Sequence, residues 1–135
     1  MKLSTKGRYA LRSLVDLVEQ ERSGLTNLKS IAERQKISVK YLEALFTILR
    51  KKHILKSSRG AQGGYSLAKP AEAISVYDIL CAIEGNFDRF FCNPGKKCKR
   101  FASCRTRPFW QGVNTLLRTH FEKSKLSDFL DPVRP

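Results

Sequence analysis

Acidic side chains are scarce in this 135-residue chain: 12 Asp and Glu stand against 26 Lys and Arg, for a formal charge of +14. The imbalance points to a polyanionic partner, nucleic acid first, because releasing condensed counterions from phosphates favours binding by such a surface. Long apolar runs are missing too. No stretch approaches the roughly 20 residues of a membrane-crossing helix, and Lys2, Lys6, Arg8 and Arg12 interrupt every apolar run near the start, so neither a span nor a secretory signal is expected. No long basic amphipathic helix with a Trp- or Phe-rich face stands at a terminus, which argues against residence on an anionic membrane surface. There is no Cys-x-x-Cys pair on a strand-to-helix turn, no phosphate-cradling glycine motif after a strand and no carboxylate pair framed for acid–base work, so an enzyme is not expected. What remains is a cytoplasmic binding protein of one domain's length, whose 41% hydrophobic content suffices for a modest core.

Four cysteines are present. In a reducing compartment they read as ligands, redox sensors or buried thiols rather than a disulfide framework. Cys81 lies in the apolar-periodic stretch 76–83 and reads as a buried structural thiol. Cys92, Cys98 and Cys104 are different: five residues separate neighbours, and Lys96, Lys97, Lys99, Arg100 and Arg105 crowd around them. Thiolates are soft donors suited to iron–sulfur clusters and zinc, and nearby cations favour the ligating, deprotonated form. The spacing matches common zinc-finger patterns poorly, and unliganded thiols are the plain alternative.

The pattern along the chain is mainly α. A helix is expected over 5–22, with Tyr9, Leu11, Leu14, Val15, Leu17 and Val18 as its apolar stripe and Ser4 or Thr5 as cap. A short helix from Asn27 and a third over 39–52 are joined by a polar turn, which suggests helix-turn-helix. Two short alternating runs, 54–58 and 65–67, flank a glycine-rich tip and make a β-hairpin wing. Ser75 caps a helix over 76–84 that Gly85 ends, and Pro108 opens a long helix in which Trp110, Val113, Leu117 and Phe121 repeat at helical steps. Because the winged helix before it has its own apolar faces, that stripe is expected to be a dimer contact. The chain thus divides into a winged helix-turn-helix domain (1–85), a cysteine segment (86–107) and a dimerisation helix with tail (108–135).

Four pieces in register resemble one bacterial family: the opening 1–11 (MKLSTKGRYAL), the stretch 37–43 (ISVKYLE), the wing 59–65 (RGAQGGY) and the cysteine triad. The chain resembles the Rrf-two family of winged-helix transcription regulators, which includes IscR, NsrR, RirA and CymR types. The resemblance implies a homodimer on a pseudo-palindromic double-stranded DNA operator, with crossing C-terminal helices. It also implies a 4Fe-4S or 2Fe-2S cluster on Cys92, Cys98 and Cys104 that controls DNA binding. The alternative is a cluster-free, CymR-like regulator answering to a protein partner or to thiol oxidation; a nonspecific, chromatin-like protein is a further rival that net charge alone would favour.

The family pattern places base reading on Lys40, Tyr41, Glu43 and the wing's Arg59, with Ser38 and Gly60 as further DNA-binding residues. Glu43 can accept from cytosine N4, Lys40 can reach guanine or phosphate, and Arg59 on its glycine-flanked tip can enter the minor groove. Ala44 stands where the IscR type carries a glutamine. Lys2, Lys6, Arg8, Arg50, Lys51, Lys52 and Lys56 are candidate phosphate contacts. Three thiolates leave a coordination position short. The family's histidine ligand, three residues after the last cysteine, is matched here by Arg107, and its aspartate ligand in the partner's first helix by Arg8; neither guanidinium can ligate. Asp88, Cys81, His120, Asp16, an exogenous thiol or water remain open as the fourth donor, with His53 a poorer one.

Overall fold

A computed structural model describes residues 4–21, 26–58, 64–85, 91–92 and 98–130. Helix α1 (Thr5–Glu21) buries Ala10, Leu14 and Leu17 completely, one stripe at helical spacing. Helix α2 (Leu28–Gln35) starts where the Asn27 side chain accepts the Ser30 N–H at 2.8 Å, and ends at Lys36, whose φ of 57° turns the chain. The Ile37 N–H then reaches back to the Ala32 carbonyl at 3.1 Å. Helix α3 (Val39–Lys51) begins at once, because Ser38 accepts the Tyr41 N–H at 3.0 Å, and it buries Leu42, Leu45, Phe46 and Leu49 against α1 and α2. The expected helix-turn-helix is therefore present, its turn set by one left-handed residue, Lys36, and one side-chain cap, Ser38.

Strands β1 (Leu55–Ser58) and β2 (Gly64–Leu67) pair antiparallel, Leu55 opposite Leu67 and Ser58 opposite Gly64. Thr26 adds a bridge to Tyr65, and a Cβ on Gly64 would lie 2.7 Å from the Thr26 carbonyl, so this crossing needs glycine. The Tyr65 ring meets Phe46 edge-on at 5.2 Å, which ties the wing to the core. The wing tip, Arg59 and Gly60 included, lies outside the described residues.

Helix α4 (Val76–Glu84) opens with a reciprocal cap: Ser75 accepts from the Asp78 N–H at 2.9 Å and Asp78 accepts from the Ser75 N–H at 3.0 Å. At its far end Glu84 caps α1. Its carboxylate accepts from the Ser4 hydroxyl and from the Gly7 N–H at 3.2 Å, so an acidic group from 77 residues away closes the start of α1 and Ser4 serves as donor. Gly7 permits that approach, since a Cβ there would lie 2.9 Å from Leu80 Cδ2.

Helix α5 (Arg107–Lys123) takes Pro108 in its first turn and buries no side chain. It leans on α4, with Phe121 against Val76 and Leu80 and with Arg118 5.1 Å over the Tyr77 ring. A closing 3-10 turn (Leu126–Phe129) returns to the winged helix: the Leu126 N–H bonds the Ile74 carbonyl at 2.8 Å and its side chain is fully buried. The core of the first 85 residues is thus completed from beyond α5. Among the described residues no helix is long and apolar enough to cross a membrane.

Candidate DNA interface and cysteine site

The start of α3 is a solvent-facing edge. Ser38, Lys40 and Glu43 are exposed, as is Arg50 in the last turn, while Lys6 and Arg8 are exposed at the start of α1 beside buried Gly7. Val39, in the first turn of α3, is an apolar side chain left 42% exposed. Tyr41 is half-buried, with its ring edge-on to Tyr9 at 5.9 Å; the Tyr9 ring in turn carries Arg12 at 4.8 Å. Packing against α1 therefore takes up the Tyr41 ring. Lys2 falls outside the described residues.

Behind this edge a network centred on buried Asp16 fixes α2 on α1. Asp16, 6% exposed at its side chain, receives Arg34 through Nη2 at 2.7 Å and Nε at 3.0 Å, and Gln35 Nε2 at 2.8 Å. Arg12 spans to Gln35 through its carbonyl at 2.7 Å. Asp16 is therefore committed to Arg34 and Gln35, so it is not a free donor for a metal centre.

The cysteine segment is described at 91–92 and from 98 onward. Cys92 sits at φ 50° and is half-buried; Cys98 is exposed, within a turn where the Phe101 N–H bonds its carbonyl at 3.1 Å. The Cys104 sulfur lies 3.3 Å from the Thr106 hydroxyl. That hydroxyl holds the thiol below its ordinary pKa, helped by the Thr106 backbone N–H against a smaller desolvation effect, then by the Arg107 N–H and the Arg100 cation. Cys104 is thus biased toward the ligating, nucleophilic form.

Arg107 takes up its guanidinium in structure: it donates to the Phe101 carbonyl and lies 4.6 Å over the Phe101 ring. Its Nε is buried and has no hydrogen-bond partner among the described residues. An unsatisfied cationic donor on the residue whose backbone N–H supports the Cys104 sulfur suits an anionic sulfur-bound centre. The donor chemistry fits an iron–sulfur cluster. Among the described residues, however, no three Cys, His, Asp or Glu side chains form a group able to hold a metal ion, so the three sulfurs are not gathered. Of the other donors considered, Cys81 is half-buried against Val76 and Leu80, which suits its structural reading, His53 and His120 are exposed, and Asp88 lies outside the described residues.

Trp110, Val113, Leu117 and Phe121 do share a side of α5, but Phe121 faces α4, and the Trp110 ring meets Phe91 at 4.9 Å. The more exposed apolar side chains are Phe109, at 65%, and Leu116, at 71%.

A capped helix-turn-helix followed by a β-hairpin, with a basic exposed edge on its second helix, defines a winged-helix DNA-binding protein. Residues 3–132 match the Rrf2 profile, described as an iron-dependent transcriptional regulator. The chain belongs to the Rrf2 family. It is 38% identical over 141 residues to the HTH-type transcriptional regulator IscR of Cereibacter sphaeroides, covering 100% of this chain and 91% of that one. IscR of Erwinia tasmaniensis is 35% identical over 133 residues, covering 98% and 75%. Among solved structures, CymR of B. subtilis, titled the global cysteine regulator, superposes with a TM-score of 0.81 at 32% identity, covering 96% of both chains. IscR of T. potens does so with 0.76 at 37% identity, covering 96% of this chain and 86% of that one. These relatives are transcription regulators, not enzymes, and the chain is a transcription regulator of this family.

Proposed function

We propose that the chain is a homodimeric, IscR-type regulator whose operator binding is set by an iron–sulfur cluster on Cys92, Cys98 and Cys104. The observation that supports this reading is the chemistry at Cys104: its sulfur lies 3.3 Å from the Thr106 hydroxyl, which biases it toward thiolate, close in the chain to Arg107, whose Nε has no hydrogen-bond partner among the described residues. The three cysteines supply the sulfur donors, and the cluster, when bound, supplies a centre sensitive to iron supply, oxidants and nitric oxide. The ligands must converge for binding, so binding draws Cys92, Cys98 and Cys104 together and shifts the population of DNA-competent protein.

On DNA, α3 of each protomer enters a major groove, and two-fold symmetry reads half-sites about one helical turn apart. Lys40 and Glu43 address base edges, Val39 offers an apolar contact for a thymine methyl, and the Ser38 hydroxyl, while accepting from Tyr41, can still donate to a phosphate. Lys6, Arg8 and Arg50 serve the phosphate backbone, Arg59 and Gly60 the wing contact.

The test is anaerobic purification with a visible spectrum and iron and sulfide counts, alongside operator titrations of the native chain and of a variant with all three cysteines changed to serine. A coloured, iron-bearing protein whose operator affinity moves at least tenfold on losing its cluster, while the serine variant no longer responds, supports the reading. A colourless, iron-free protein that binds its operator as tightly as the serine variant overturns it and returns the chain to the cluster-free alternative.

A further inference from the structure

We infer that the first half of α5 is a template for the backbone at Phe91–Cys92 and in the Cys98–Cys104 turn, with Asn114 and Arg107 as positioning residues that clamp it beside Cys92 and between Cys98 and Cys104. The inference deepens the cluster reading and rests on it for its purpose, although the clamps themselves exist without a metal. Asn114 treats Phe91 as a neighbouring strand would: its Oδ1 accepts the Phe91 N–H at 3.0 Å and its Nδ2 donates to the Phe91 carbonyl at 2.6 Å. The Phe91 ring packs on Trp110 at 4.9 Å, and Trp110 packs on Phe109 at the same distance. One residue is thereby held through both backbone groups and its ring.

The next residue is Cys92, at φ 50°. A non-glycine side chain in that left-handed region is unfavourable and persists where the surroundings over-determine the backbone. Asn114 and Trp110 supply that constraint from one side. Arg107 supplies a second clamp. Its guanidinium holds the Phe101 carbonyl and covers the Phe101 ring, Phe101 closes the turn that begins at Cys98, and the Arg107 backbone N–H supports the Cys104 sulfur. Arg107 therefore links the Cys98 turn to the Cys104 thiol, and the residue at the family's ligand position has become a clamp instead of a donor.

Two clamps predict two separable effects on three thiols. In the full-length, reduced, metal-free protein, the alkylation rate of each cysteine by a maleimide is followed by mass spectrometry for Asn114→Leu and Arg107→Leu, with amide exchange at Phe91 and Cys92 as a local probe. Asn114→Leu is expected to raise the Cys92 rate about threefold or more and leave Cys98 and Cys104 within a factor of about two, because only the backbone beside Cys92 opens. Arg107→Leu is expected to change Cys98 and Cys104 and spare Cys92. Parallel changes in all three thiols in both variants would mean general loosening and overturn the template, as would three unchanged rates. Asn114→Asp, which keeps the acceptor but loses the donor to the Phe91 carbonyl, gives the same pattern at smaller size and decides the matter if the leucine variant fails to fold. Iron content after anaerobic reconstitution separates the two readings: a native chain that takes up no iron defeats the cluster proposal while the thiol pattern still judges the clamps.

Discussion

Helices α1 and α5 have the same length, 17 residues, yet α1 buries Gly7, Ala10, Ser13, Leu14, Asp16 and Leu17 whereas α5 buries nothing. The winged-helix half closes its core with fully buried Leu42, Phe46, Leu49 and Ile79, and it draws Leu126 in from beyond α5 to finish the job. The cysteine-bearing half is held by other means: two side-chain-to-backbone clamps, a tilted aromatic pair and two cations over rings. Hydrophobic burial fixes a shape by the sum of many contacts, so one half is complete within a protomer. Clamps fix particular backbone groups and leave the apolar stripe of α5 half covered. The difference teaches that the helix-turn-helix is fixed by its own core, whereas the half around α5 is left partly uncovered within the protomer.

The sharpest way to break that comparison is to hollow the first half. Phe46 is fully buried and meets the Tyr65 ring of the wing, so Phe46→Ala is expected to cost about 3–5 kcal/mol. The drop would be read from urea or thermal unfolding, with Tm falling by roughly 10 °C or more. A loss under about 1 kcal/mol would show that the winged helix does not rest on its own core.

A smaller effect is expected from the ionic network behind the reading edge. Asp16→Ala removes the carboxylate that holds Arg34 and Gln35, but Arg34 is 38% exposed at its side chain and can regain water, so the cost is put at about 1–3 kcal/mol. Because this network sets α2 against α1, and α3 follows α2 through the Lys36 turn, operator affinity should fall while the alkylation rates of Cys92, Cys98 and Cys104 stay as they are. Altered thiol rates with unchanged operator binding would join the two halves more tightly than the structure indicates.

The two halves also differ in how far the chain announces them. Helices α1 to α4 are legible because their apolar residues recur at helical spacing and because Asn27, Ser38 and Ser75 each stand where a cap is needed. Even there one feature is not local: Glu84 reaches the Gly7 N–H and the Ser4 hydroxyl from the end of α4, which no sequence pattern at the start of α1 announces. In the other half the triad spacing is legible but its geometry is not. Asn114 finds Phe91 from 23 residues away, and Arg107 turns from the ligand position toward Phe101, neither of which follows from local pattern. The same holds for α5. Its period marks Trp110, Val113, Leu117 and Phe121 correctly as one stripe, but periodicity carries no sign of which neighbour will cover it, and α4 takes Phe121.

That last point yields the finest test of the comparison. Leu116 is 71% exposed and lines, with Thr115, Thr119, His120 and Lys123, a shallow hollow on the face of α5 away from α4. Within the protomer it has little to lose, so Leu116→Ala should change unfolding free energy by no more than about 0.5 kcal/mol. If a second copy covers this face, the same truncation removes a contact that forms only in the dimer. A roughly tenfold weaker dimer, about 1.4 kcal/mol, is then expected by analytical ultracentrifugation. Operator binding should weaken with it, because two half-sites are read only when both protomers are present. A dimer indifferent to Leu116→Ala, and likewise to Phe109→Ala, would place the interface elsewhere on α5, back on the half-buried stripe of Val113 and Leu117.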